Sequence, residues 1–402
     1  MPFGRCRQVP SPTSAPGTPV RAGLVGIGKM GVSHLAIANA HPGIDLVAVC
    51  DSQGFLLSGL RSQIEIATFK SVDRMLAGAD LDAVFVATPT SSHVAVADEA
   101  LAAGLHVFVE KPLTLRSSES RRLATTADAK GLVNQVGYHN RFIGTFRETA
   151  RLVAAGAIGE VHHIDGRAFG PVVTSPKGGG RTWRAQKSEG GGCLHDYACH
   201  VIDLMNFVHG RPEEVMGAQL SQVHSTAVED AVYGIFRYPG GAVGTLETNW
   251  SDDAHRKMTT SVTIYGTAGK IHADRQECRL YLAPGQRFET FEEGWTIRYI
   301  TELQDPVDFY LRGEEYSSQM DAFVGAISGA GAAGACTFSE AADADWVVGE
   351  IERVHAEGRP IHDRGPGVDT VAVRARALAG RAAERFGALV DTARATWKER
   401  RR

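Results

Sequence analysis

What this chain of 402 residues has little of excludes several classes of protein at once. No apolar run approaches the roughly 20 residues that a bilayer span requires, and Met1 to Val20 has no apolar stretch of the kind a secretion signal carries. The expectation is a cytoplasmic protein whose residues 1–20 form a disordered leader. Cysteine is sparse, and Cys6, Cys50, Cys193, Cys199, Cys278 and Cys336 show no C-x-x-C spacing, which argues against a zinc knuckle or a disulfide framework. Most of these thiols are expected to be reduced and in the core. An excess of one charge sign is missing too: 42 Lys and Arg face 46 Asp and Glu, a formal charge of -4 that calls for neither nucleic acid nor an anionic membrane as partner. A small-molecule substrate fits better.

What is present is the composition of a globular protein. At 43% hydrophobic and 22% charged residues the chain has enough apolar side chains to offset the entropy of ordering it, and its length predicts two domains. From Val20 to His139 short apolar runs alternate with helical stretches, as parallel strands joined by crossover helices require. Strands are predicted at Arg21–Ile27, Asp45–Cys50, Asp82–Ala87, His106–Val109 and Leu132–Gly137. The expected fold class is α/β, with a doubly wound parallel sheet over 21–142 and ligands beyond the carboxyl ends of its strands. After about Phe142 a helical stretch, Gly144 to Ala155, leads into alternating segments. Ala231–Tyr238 and Ala242–Asn249 flank the turn residues Pro239, Gly240 and Gly241, and a second hairpin is predicted over Thr260–Ala273 with its turn at Gly266–Gly269. Residues 143–363 therefore read as an α+β domain with a mainly antiparallel sheet. The Ala- and Arg-rich stretch 364–402 reads as an amphipathic helical extension.

Gly26, Gly28 and Gly31 form a complete G-x-G-x-x-G directly after a predicted strand, with Lys29 and Met30 opening a helix. Such glycines allow a tight turn and close approach of the backbone to a pyrophosphate, whose charge the helix N-terminus stabilises. Twenty positions on, Asp51 ends the second predicted strand, where a carboxylate accepts hydrogen bonds from the adenosine ribose and repels a 2′-phosphate; NAD is expected over NADP. Thr88, Pro89, Thr90 and His93 follow the strand Asp82–Ala87 at the same edge and suit a loop passing over the dinucleotide, although His93 reads equally well as a surface helix residue.

Glu110, Lys111 and Pro112 close the strand His106–Val109, which brings the Lys111 ammonium to the ligand-bearing edge beside the expected nicotinamide. Gly190 to Gly192 then lead through Cys193, Leu194 and His195 into a helix on which Asp196 and His200, four residues apart, share a face. A carboxylate beside an imidazole orients it for acid/base work. Cys193, His195, Asp196, Cys199 and His200 are also metal-ligand types, but on a helix they fan round several faces, and no metal is expected.

These motifs, Gly26-Ile27-Gly28-Lys29-Met30-Gly31, Glu110-Lys111-Pro112 and the run from Gly190 through Asp196 to His200, resemble the glucose-fructose oxidoreductase and inositol dehydrogenase (Gfo/Idh/MocA) family over about Val20 to Asp363. The resemblance implies a Rossmann domain, a second domain whose open-faced sheet commonly joins subunits into homodimers or homotetramers, and a catalytic trio of Lys111, Asp196 and His200. It places Trp183 and Arg184 near the cofactor or substrate mouth and gives Asp230 a structural position. Ala198 stands where the family often has glycine, and the stretch beyond Asp363 has no counterpart. The activity implied is hydride transfer between NAD and a secondary alcohol of a sugar, a cyclitol such as an inositol, or a glycoside. In it His200, oriented by Asp196, takes the hydroxyl proton and Lys111 hydrogen-bonds the oxygen; which of the two is the base stays open. Arg141, Arg181 and Arg184, with Lys177 and Lys187 in the 170–189 loop, are read as lying near the substrate entrance. A glycosidase that uses NAD transiently, by oxidation and elimination, is the alternative, and a non-catalytic NAD-binding regulator is disfavoured because Lys111 and His200 are both present.

Overall fold

The first sheet is arranged by which segments are apolar on both faces. In the computed structural model, which describes residues 18–54, 57, 59, 66–173 and 183–358, its strands are β1 (Val20–Val25), β2 (Ile44–Cys50), β3 (Ala67–Phe69), β4 (Ala83–Val86), β5 (His106–Val109) and β6 (Asn134–Val136). They pair in parallel in the order β3-β2-β1-β4-β5-β6. β1 and β4, almost wholly buried, lie side by side at the centre, where crossover helices cover both faces. The order reverses between β1 and β4, which opens a crevice beyond their carboxyl ends. All five predicted strands are present with ends shifted by at most two residues. β3 escapes the periodicity because three residues at a sheet edge carry too little pattern to detect. Val20, read as the last residue of the leader, begins β1.

The second sheet has eight strands: β7 (Val161–Phe169), β8 (Glu214–Ser221), β9 (Ala231–Arg237), β10 (Val243–Asn249), β11 (Thr259–Gly266), β12 (Gly269–Asp274), β13 (Glu277–Leu282) and β14 (Gly294–Tyr299). Their order is β14-β13-β12-β11-β7-β10-β9-β8, antiparallel except where β7 meets β10. Both predicted hairpins are there, β9 with β10 and β11 with β12. The helix Cys199–His209 packs on one face of this sheet so closely that a Cβ on Gly166 of β7 would come within 2.6 Å of Val201. Period-two alternation turns Tyr233 and Ile235 of β9 and Trp295, Ile297 and Tyr299 of β14 outward, where they are exposed.

Arg141 departs from its sequence reading. It is 1% exposed, and its guanidinium binds Asp203 on the helix Cys199–His209 (2.8 to 3.1 Å) and Glu340 on the helix Phe338–Glu357 (2.8 Å), with the Phe207 ring 5.1 Å below. It fastens the end of the first sheet to the helices of the second layer. Residues 1–17 of the leader, Cys6, the loop 174–182 with Lys177 and Arg181, and the extension 364–402 lie outside the described residues. Among those described, no helix is long and apolar enough to cross a membrane.

Replacing Asp203 with Ala would leave Arg141 buried with Glu340 as its remaining carboxylate partner. Urea unfolding of the Asp203→Ala protein is expected to show a loss of about 3 to 5 kcal/mol, as for other broken buried ion pairs.

Candidate active site

The turn from β1 into the helix Lys29–Ala40 is built from glycines for steric reasons. Gly26 adopts φ +91°, and a Cβ there would stand 2.8 Å from the Ala87 carbonyl. A Cβ on Gly31 would strike the Gly26 carbonyl, whereas beside Gly28, the N-cap residue, there is open space within 4 Å. No side chain caps this helix, so its first N–H groups face the crevice. The Asp51 carboxylate at the end of β2 accepts the Ile27 N–H (2.8 Å) and the Gln53 N–H (2.7 Å), fixing the glycine turn while each oxygen keeps a lone pair. The Thr88 hydroxyl is buried without a partner among the described residues. An uncapped helix start, space above a glycine, a carboxylate with acceptor capacity and an orphan hydroxyl together fit a dinucleotide, held by Gly26 to Gly31 at its pyrophosphate and by Asp51 at its ribose.

Two of the residues predicted at the cofactor are engaged by protein groups. His93 is a buried residue rather than a surface one: its Nδ1 lies 3.0 Å from the Pro112 carbonyl and its Nε2 3.0 Å from that of Thr88, so it ties the Thr88–Thr90 loop to the Glu110–Pro112 loop. Glu110 is buried as well, and its carboxylate is engaged by His34 Nε2 (2.6 Å) from the helix behind the glycine turn. His34 had no short-range motif to announce it, since its partner is 76 positions away.

At the opposite wall the chain enters the helix Cys199–His209 through a π-helical turn, Leu194–Ala198. Lys111 reaches this turn from the end of β5: its Nζ donates to the Asp196 carbonyl (3.0 Å) and to Asp196 Oδ1 (3.0 Å). Oδ2 of the same carboxylate accepts Arg184 Nε (2.7 Å), whose guanidinium lies 4.7 Å over the Trp183 ring. Burial penalises the Asp196 charge, but the two cations outweigh it and hold the group down at about 2. Burial likewise opposes the Lys111 charge, and Asp196 outweighs it, so the ammonium is held above its ordinary value. His200 is buried one turn on. Desolvation, with Lys111 and His139 adding to it, pushes its imidazole well below the ordinary value, so it is neutral.

The predicted trio therefore converges, but the pairing inside it differs from the sequence reading. Asp196 holds Lys111 and Arg184, not His200, whose Nδ1 is buried without a partner among the described residues. The widened turn is the physical reason: it presents both the Asp196 carbonyl and its carboxylate to the strand end. The three glycines ahead of it are needed because Gly190 and Gly192 have φ of +81° and +109° and a side chain on Gly191 would strike the Arg184 carbonyl. Glu229, which sequence reasoning passed over for its neighbour, accepts the Leu194 N–H (3.0 Å) and anchors the turn; Asp230 accepts the Val223, His224 and Ser225 N–H groups and the Ser251 hydroxyl, a structural part. Cys193 and Cys199 are buried free thiols, and among the described residues no group of three His, Cys, Asp or Glu is placed to hold a metal.

Comparison with known proteins agrees with this geometry. Residues 20–138 match the family described as an oxidoreductase family with an NAD-binding Rossmann fold, and residues 146–272 match the GFO/IDH/MocA C-terminal domain. The D-glucoside 3-dehydrogenase of Escherichia coli is 26% identical over 267 residues, covering 62% of this chain and 75% of its own. The uncharacterized oxidoreductase YdgJ of the same organism is 29% identical over 307 residues, 74% of this chain and 82% of its own. Levoglucosan dehydrogenase in complex with NADH has the same fold, with a TM-score of 0.75 at 24% identity over 85% of this chain and 98% of that one.

The depressed Asp196 carboxyl makes a stability prediction. Its folded value, about 2, lies below its unfolded value of 3.8, so its contribution is complete above 3.8 and lost as pH falls toward 2. Unfolding measured from pH 6 down to about pH 2 is expected to show about 2 kcal/mol of acid-sensitive stability that Asp196→Asn abolishes.

Proposed function

Since the chain belongs to the Gfo/Idh/MocA oxidoreductase family, we propose that it is an NAD-dependent dehydrogenase acting on a secondary alcohol of a sugar, a cyclitol or a glycoside. The observation that carries this reading is the Lys111 ammonium, brought 3.0 Å from Asp196 at the carboxyl edge of the first sheet, one helical turn from a neutral buried imidazole. The named activities of the D-glucoside 3-dehydrogenase and of levoglucosan dehydrogenase support the choice of a sugar-like alcohol. The nicotinamide, when bound, supplies the two-electron acceptor or donor.

The chain's own groups divide the remaining work by charge. Lys111 keeps its proton, so it donates a hydrogen bond to the carbinol oxygen and stabilises alkoxide character as it develops. Asp196 stays a carboxylate and holds the ammonium in place from the second layer. His200 is uncharged and so is free to accept the hydroxyl proton in the oxidative direction and return it in the reductive one. This assigns the base to His200 rather than Lys111. Asp51 would repel a 2′-phosphate, which supports NAD over NADP. The exposed Tyr233, Ile235, Trp295 and Ile297 support self-association through the open sheet face into a homodimer or homotetramer.

Absorbance at 340 nm with NAD⁺ against a panel of inositols, sugars and glycosides tests the reading. Turnover is expected with at least one polyol, reduced about 10² to 10³-fold in Lys111→Ala and about 10² to 10⁴-fold in His200→Ala. Turnover unaffected by both variants would refute the assignment, and cleavage of a glycoside that needs NAD⁺ yet accumulates no NADH would point to oxidation and elimination instead. Because His200 must be neutral to act, kcat/KM is expected to stay level as pH falls through the ordinary imidazole value of 6.5 and to drop only below it. The alkaline limb should lie above the ordinary lysine value of 10.5.

A further inference from the structure

We propose that His139, backed by Tyr316, is the positioning residue for His200: a stacked ring pair that fixes the His200 imidazole and closes it off from water in place of the usual carboxylate. This rests on the reading of His200 as the proton acceptor. An acid/base histidine is ordinarily oriented by a hydrogen bond to its second nitrogen. Among the described residues His200 has no such bond, since its Nδ1 is buried and unpartnered there and Asp196 is taken up by Lys111 and Arg184. Rings meet it instead. His139 stands edge-on at 4.9 Å between centroids and 84° between planes, and Tyr138 at 6.0 Å and 87°.

His139 does not rest there by itself. It comes from the turn after β6 and lies flat on Tyr316, 4.8 Å away at 16°, and Tyr316 sits in the first turn of the helix Glu314–Ser328, 177 residues further along. The Arg312 guanidinium covers the Tyr316 ring at 5.5 Å and reaches Ser33 Oγ at 3.4 Å, on the helix behind the glycine turn. The column Arg312, Tyr316, His139, His200 therefore runs from the dinucleotide-binding helix to the proton acceptor. Arg312 holds φ +69°, a backbone state unusual for arginine.

The groups around His200 explain why a ring is useful at this place. Lys111 acts on it from the end of β5, and Tyr138 and His139 meet it from the turn after β6; Glu110, Arg275 and Arg312 act in turn on His139. A carboxylate on Nδ1 would raise the imidazole and trap a proton beside the Lys111 ammonium. A neutral ring excludes water without adding charge. His139 is held neutral too, pushed down to about 3 by burial first and by Arg275 and Arg312, against Glu110 and with Lys111.

The test is imidazole NMR of the full-length protein across pH, with His200→Asn identifying the His200 signal. In the unsubstituted protein His200 is expected to stay neutral as pH falls through and below the ordinary imidazole value of 6.5. His139→Ala admits water and should raise its midpoint by about one pH unit or more, while His139→Phe keeps the stack and should leave it within about 0.3. Tyr316→Ala should give a smaller rise than His139→Ala, and this variant with His139→Phe carries the test should His139→Ala fail to fold by circular dichroism. A midpoint unmoved in His139→Ala, or in Tyr316→Ala where that one carries the test, or moved equally by Phe, overturns the inference. With a substrate from the panel, the acid limb of kcat/KM should move with the NMR midpoint while KM holds. A shifted midpoint in a protein that turns over none of the panel overturns the proton-acceptor role, and an unmoved midpoint in an active enzyme overturns the positioning role alone.

Discussion

The Lys111–Asp196 contact is the constraint on which the rest of the site depends. One partner ends a strand of the parallel sheet, and the other sits in the π-helical turn that enters the second layer. Each charge alone would be costly at that depth; together they offset one another's desolvation, and Arg184 completes the neutralisation of a carboxylate with two oxygens to satisfy. The pair thereby does two tasks with one geometry: it joins the two sheets and keeps a largely buried ammonium charged.

The surrounding architecture serves that junction. Arg141 joins the end of β6 to the helix carrying His200, through Asp203 three residues beyond it. His93 ties together the two loops that border the crevice, and Glu110 with His34 links the lysine-bearing loop to the helix behind the glycine turn. These buried polar contacts are satisfied mostly by partners far away in sequence, and so the loops are set by the folded whole rather than by local turn chemistry.

That is also why the chain was legible in some places and opaque in others. Apolar runs in parallel strands, paired hairpin segments and the glycine turn are local patterns, and β1, β2, β4, β5, β6 and both hairpins could be read from them. Lys111, Asp196 and His200 stood out because motif and position coincided. Helical spacing suggested that Asp196 serves His200, but spacing on one helix says nothing about a cation arriving from 85 residues away, and that cation took the carboxylate. Arg141 looked like an entrance residue for the same reason: its partners Asp203 and Glu340 are 62 and 199 positions distant. Glu229, His139 and Tyr316 carry no motif, and only the tertiary fold brings them to the site.

Gly166 lies in the middle of β7 and carries no chemistry, yet its missing side chain is the space that Val201 and Met205 occupy. His200 immediately precedes Val201 on that helix, so the depth at which the helix beds into the sheet also sets the height of the imidazole over the crevice. A mid-strand position with no chemistry of its own thus acts as the datum from which the active site is levelled, and mutational tolerance should be as narrow there as at the residues that meet the substrate.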